Sequence, residues 1–561
     1  MGIIKRKYAP SSSSSEDYDA DSGVSTIEFY MTSKDPYRVA PGNQLAIPWP
    51  YRMSRVSQAT RDIVGNIRTE YETILSDHNI TLLAETMRHL SPKHTSDTSR
   101  DTLILISRDE DPRPWKNAAT AIQTIINQQL SLGNTDLKIQ VELRNDLKMY
   151  KDRSFIVRQN TAEHSLLEKA QLCVLEEIRK LNASQWTSVS CAMRGVEDEE
   201  SSRKATVVVC FTPGTKSLWA YINDRLEDAL APIIATNPDI NLYVELVPGL
   251  LSPSVISDME MSTPIYYDHL PVNPNSGSSI GPRGTQDAGT LGAWVYYTAA
   301  GHTVRKLAFL TCHHVVAPGD WANRAANDVQ GIGLQGRSIL QPILIDYPAP
   351  FDAAQTKIQL LEDLRGDPPN AADLRQRVDD MQKLIDAGGF GTVVHSSGYV
   401  RRNQKGHRMD WAIITVNDDS FRGQNVPVPR SQLARPQLWG NRLEYDAKLG
   451  DVISSIDPVV AQDWAAKTGR TTQVTVGDIT SIAAATHWKD GTMTREHQIT
   501  TADGTPFVRG GDSGSMIYNR KKEWIGMAIA GNIFEDACYF TSAAEIVEDI
   551  KEQTGGSIEL V

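Results

Sequence analysis

The sequence predicts a multidomain chain, with a duplicated α+β region in the N-terminal half and an all-β C-terminal half carrying a helical insert. Three observations point there. The 561 residues exceed what one hydrophobic core usually serves. A pattern recurs at an offset of about 104 residues: Thr102 to Ile106, Trp115, Ile122 and Ile126 return as Thr206 to Cys210, Trp219, Leu226 and Leu230. Beyond about residue 450, short alternating runs between turn residues replace long amphipathic stretches.

Residues 1–25 read as a disordered tail, with Ser11 to Ser15 and several acids. Two similar units follow at 55–148 and 160–250, each read as helix, strand, strand, helix, strand. Asp136 to Leu143 recurs as Asp239 to Leu246, and the stretches from Trp115 and Trp219 have helical apolar spacing. Thr212-Pro213-Gly214-Thr215-Lys216-Ser217 lacks the glycine spacing of a phosphate loop and reads as a strand-to-helix turn with Thr215 or Ser217 as cap. A Pro/Ser/Gly-rich linker spans 251–276, and its polar composition makes it a plausible cleavage site.

The C-terminal domain is set at 277–561. Its insert, 352–389, reads as a helical hairpin broken at Gly366-Asp367-Pro368-Pro369. Leu374, Val378, Met381 and Ile385 share one face of its second helix. Later strands are expected within 450–455, 471–484, 496–501, 515–518 and 523–530, with a closing helix at 541–553.

Chemistry concentrates in three motifs: Leu310-Thr311-Cys312-His313-His314, Asp410-Trp411-Ala412-Ile413 and Gly511-Asp512-Ser513-Gly514. A serine hydroxyl is a weak nucleophile and needs an imidazole to take its proton. A buried carboxylate fixes that imidazole's tautomer. The alternative nucleophile elbow G-x-S-x-G is excluded, because Ser515 replaces the last glycine and no histidine follows Ser513.

In their order, the motifs resemble the trypsin-like, chymotrypsin-fold serine peptidases over about residues 277–561. The resemblance implies an all-β double barrel with His314, Asp410 and Ser513 as its triad. It also implies an oxyanion hole from the N–H groups of Gly511 and Ser513. His314 is preferred to His313 by its distance from Thr311; on a strand the two would face opposite ways. His395 and His407 read as solvated loop residues. Counting back from Ser513 sets Phe507 and Val508 at the primary pocket, with Gly531 at its entrance. No acid stands at that base, so uncharged side chains are expected before the scissile bond. Ile529 stands where many relatives carry a serine supporting the catalytic Asp. No basic residue immediately precedes Ile280, so activation by a freed amino terminus is not expected. The region from Ala288 to Val295 looks like the first barrel strand of relatives that fold directly.

The resulting expectation is an intracellular serine endopeptidase, cytoplasmic or nuclear, acting on proteins or peptides. Its N-terminal region would be regulatory or partner-binding. The alternative is a catalytically silent scaffold of the same fold. A regulatory protein would dock on the repeats or the helical insert. The net charge of −12 argues against nucleic-acid and anionic-membrane partners. No apolar run is long enough to span a bilayer, and Met1 to Pro10 has no apolar core of a signal peptide. Arg6 spoils the myristoylation pattern begun by Gly2. Five cysteines, an odd number with only two in the C-terminal half, read as free thiols. No H-E-x-x-H or C-x-x-C pair occurs, so neither metal nor cofactor is expected.

Overall fold

A computed structural model describes residues 17–561 except 43–44, 94–98, 134, 182–184, 197–198, 254–273, 335–340, 367, 388, 419, 434–443 and 502. Residues 1–16 of the expected tail lie outside the described residues, and its end is paired. Tyr18 bridges to Ser25, and Ser25–Thr26 pairs antiparallel with Lys216–Ser217.

Both N-terminal units run helix, strand, strand, helix, strand. The first has helices Gln58–Asn66 and Arg68–Asp77, strands Ala84–Pro92 and Arg100–Ile106, helix Trp115–Leu132 and strand Ile139–Arg144. The second has helix Ala162–Lys180, strands Trp186–Gly195 and Lys204–Phe211, helix Trp219–Ala235 and strand Leu242–Pro248. In each, the last strand lies parallel to the one before the helix, as a crossover helix allows. Trp115, Ile122 and Ile126 are buried in the first unit, and Trp219, Leu226 and Leu230 in the second. The shared apolar spacing therefore puts the same helix face onto each sheet. Thr161 caps helix Ala162–Lys180 by accepting from His164 N–H, and Arg179 and Lys180 close its negative end. Helix Trp219–Ala235 has no side-chain cap from Thr215 or Ser217. The Gly214 N–H instead donates to the Glu28 carboxylate at 2.9 Å, so the chain's own acid occupies that turn.

The C-terminal half holds two β systems. The first joins Ser279–Pro282, Gly289–Thr290, Trp294–Thr298, Arg305–Thr311, Leu344–Asp346, Gly391–Ser396, Ala412–Val416 and Ser557–Leu560. Its core includes Ile280, Trp294, Phe309, Val393 and Ile414. The helices Pro350–Asp363 and Ala371–Ala387 lie between two of its strands. On the second helix Leu374 and Met381 are buried, whereas Ile385 is 39% exposed.

The second system includes Trp464–Gly469, Gln473–Ile479, Ala484–His487, Met493–Thr500, Met516–Asn519, Trp524–Asn532 and Ala537–Ser542. Residues 450–455, expected as a strand, form none. Helix Ala543–Thr554 closes the domain and ends at Gly555, whose φ of 65° is the left-handed conformation glycine adopts freely. The sheets of the two halves are continuous: Ala485 and Thr486 pair with Val189 and Ser188. Strand Leu251–Pro253 adds to the far edge, antiparallel to residues 530–532. Among the described residues no helix is long and apolar enough to cross a membrane. Cys191, Cys210, Cys312 and Cys538 are buried free thiols, and Cys173 is half-buried.

Candidate active site

Strand Arg305–Thr311 gives way at Cys312 to one helical turn, His313–Val316. The two histidines therefore occupy a helical turn instead of alternating on a strand, and their rings still diverge. His313 Nδ1 lies 2.8 Å from Ser396 Oγ and its Nε2 lies 2.9 Å from Asp328. His314 Nε2 lies 2.7 Å from Ser513 Oγ, and its Nδ1 bonds Asp410 Oδ2. The His314 backbone N–H also donates to Asp410 Oδ1 at 3.1 Å. Among the described residues both hydrogen bonds to the Asp410 carboxylate thus come from His314, and the Ile529 side chain packs into the apolar core. The Ile529 carbonyl lies 3.4 Å from Ser513 Oγ.

Asp410 is 1% exposed. Burial pushes its carboxyl upward, but the neighbouring His314 charge and hydrogen bonds outweigh this and leave it below its ordinary value. Tyr399 stands edge-on to the His314 ring at 6.0 Å, with Arg408 over its own face.

The Gly511 and Ser513 N–H groups donate to no other described residue. Thr471 Oγ1 holds the Gly510 carbonyl, and the Ser515 N–H and hydroxyl hold that of Asp512. In a trans peptide the N–H points opposite its carbonyl, so both donors are turned to the other side. Gly511 and Gly514 each have φ of 92°. At Gly511 an added Cβ would lie 2.6 Å from Thr471 Oγ1 and 2.7 Å from Arg470 Nη1, so only glycine fits.

The pocket departs from the sequence reading. Phe507 lies outside the cavity lining: it sits in a bend between strands, wholly buried in the apolar cluster of Ile479, Ile499, Ile517 and Phe540. Val508 and Gly531 do line a cavity of about 270 Å³, with Gly510, Arg509 and Asp536. Tyr51 and Arg52, just ahead of the first unit, and Lys93 within it line the same cavity. Asp536 was missed because it lies far from residue 507 in sequence and approaches only after the turn out of strand Trp524–Asn532. It is ion-paired with Lys93. His395 and His407 are not loop residues in solvent. His395 lies on strand Gly391–Ser396, and His407 is buried against Glu545 at 2.7 Å. His407, His497 and Glu545 come close enough to hold an ion, but Lys405 already donates to Glu545 at 2.9 Å and neutralises it.

Residues 283–556 match the model of peptidase family S64. No curated protein matches the chain. Among solved structures, Thermobifida fusca protease A is similar at 13% identity and a TM-score of 0.27, over 51% of this chain and 98% of that one. Nocardiopsis protease gives 10%, 0.28, 51% and 100% in the same order. Cellulomonas bogoriensis chymotrypsin gives 12%, 0.25, 51% and 97%. The similarity to peptidase family S64 lies wholly in the C-terminal half of this chain.

Proposed function

We propose that residues 277–561 form a serine endopeptidase, with Ser513 as nucleophile, His314 as general base and Asp410 as orienting carboxylate. The observation that carries this reading is the single imidazole bridging Ser513 Oγ and Asp410. As Ser513 Oγ attacks a peptide carbonyl, His314 Nε2 takes its proton, and Asp410 stabilises the imidazolium. The carbonyl oxygen gains charge facing the Gly511 and Ser513 N–H groups. His314 then protonates the leaving amine, giving an acyl-enzyme on Ser513 Oγ. Water, deprotonated by the same imidazole, adds to the ester, and collapse returns the proton to Ser513. No step needs a metal or cofactor.

The lining of the cavity favours uncharged side chains less firmly than the sequence implied, because Asp536 faces it with Lys93 and Arg509 alongside. The protein is read as acting inside the cell on protein or peptide substrates. Incubation with an unfolded protein should yield new internal amino termini, absent with Ser513→Ala. Release of single terminal residues alone would contradict the endopeptidase reading. A silent scaffold would need no such complete contact between serine, imidazole and carboxylate.

The N-terminal half is read as a restraint on this site. Strand Leu251–Pro253 runs antiparallel on residues 530–532, one position beyond Ile529, whose carbonyl meets Ser513. An extended substrate would use the same sheet edge, adding as a strand. Tyr51, Arg52 and Lys93 close the adjoining cavity. A regulatory partner acting on the repeats or on the helical insert would have to loosen these contacts.

A further inference from the structure

We propose that the helical insert positions the oxyanion hole, through a buried cationic clamp. The proposal rests on the catalytic reading above and adds four positioning residues, Asp352, Arg470, Thr471 and Lys467.

Asp352 sits in the first turn of the insert helix Pro350–Asp363 and is wholly buried. Arg470 grips it with both arms: Nε lies 2.7 Å from Oδ2, and Nη2 bonds Oδ1. Ser279 donates to the same carboxylate at 2.6 Å. The guanidinium then reaches toward the catalytic loop, with Nη1 donating to Thr471 Oγ1 at 3.0 Å. Thr471 in turn donates to the Gly510 carbonyl. That carbonyl belongs to the peptide whose N–H, on Gly511, faces the oxyanion position. A second arm ends on the residue before the nucleophile. Lys467 Nζ, fully buried, is 3.5 Å from Asp512 Oδ2. Asp512 also accepts from the Thr471, Thr472 and Arg509 N–H groups.

Buried charges persist where partners and geometry compensate their desolvation. Here each pair ends on backbone that sets the direction of an oxyanion donor. The insert thereby gains a task its exposed outer faces do not explain.

The test uses the full chain and three substitutions, Asp352→Asn, Lys467→Met and Thr471→Val. The last is nearly isosteric and cuts the relay without leaving a buried charge. Three measurements are made: kcat and KM on a peptide, affinity for a peptide boronate, and the rate of Ser513 labelling by a fluorophosphonate. Loss of an oxyanion donor typically costs about 100- to 1000-fold, so a misdirected one should cost about 10- to 100-fold in kcat. KM should change little, and boronate affinity should fall in step with kcat. Thr471→Val with wild-type kcat and boronate affinity would overturn the clamp. So would a fall in kcat with boronate affinity unchanged, since that is the mark of damage elsewhere. If the wild-type chain itself is not labelled at Ser513, the catalytic reading fails instead.

Discussion

At the scale of single residues, directional signals were the least legible in sequence. The pairing of His314 with Ser513 and Asp410 follows the order of the motifs, but the histidines needed a helical turn that period-2 reasoning does not supply. Counting back from Ser513 sets Phe507 at the pocket, but counting cannot tell that the residue is buried in the apolar core. Gly511 has the clearest single-residue consequence. Gly511→Ala forces a Cβ against Thr471 and Arg470 at a φ of 92°, so the peptide must move. A loss of about 100-fold or more in kcat is expected, with the fold intact by circular dichroism. Wild-type kcat would contradict the role given to its N–H. Glu496 offers a separate test on stability. Burial raises its carboxyl from 4.5 to about 7. Between those values the folded chain keeps a proton that the unfolded chain has released. Stability therefore falls as pH rises through that window and stays lowered above it. Glu496→Gln should raise the melting temperature at pH 8, by an amount equivalent to at most about 3 kcal/mol, and leave it nearly unchanged near pH 4. Equal melting of both proteins at pH 8 would show that the carboxyl carries no such penalty.

Among elements, those with strong periodicity were read best. Helix Trp115–Leu132 and helix Trp219–Ala235 begin at the tryptophans whose recurrence marked the units. The insert helices start near the expected places because Pro350 and the Gly366–Pro369 break punctuate them. What sequence could not show was pairing between distant strands, since nothing local encodes that Ala485 meets Val189 or that Ser252 meets Gly531. Antiparallel partners alternate between hydrogen-bonded and non-bonded pairs. Pro253 has no N–H, so it suits the non-bonded position opposite Ala530, and Ser252 then makes the bonded pair with Gly531. Ser252→Pro should break that pair and free the edge for substrate. Peptide turnover by the full chain is expected to rise about 10-fold, the equivalent of roughly 1.4 kcal/mol of lost competition. Unchanged turnover, with Ser513 labelled as fast as in the wild type, would remove this strand as a restraint.

For the whole molecule, the central claim is that a complete Ser513–His314–Asp410 array acts within a chain whose N-terminal half shares a sheet with the catalytic half. That joining was invisible in composition, which suggested separable domains and a plain linker. It follows from strand edges, which bury their unpaired N–H and C=O groups against whatever strand arrives. The array itself was legible because three short motifs fix residue types in one order. The most direct measurement is labelling of the purified full chain with a fluorophosphonate, followed by mass spectrometry of the modified peptide. The expected result is one adduct, on Ser513, lost in Ser513→Ala and slowed at least about 1000-fold in His314→Ala while His313→Ala still labels. An adduct on another residue, or labelling of His314→Ala at the wild-type rate, would contradict it.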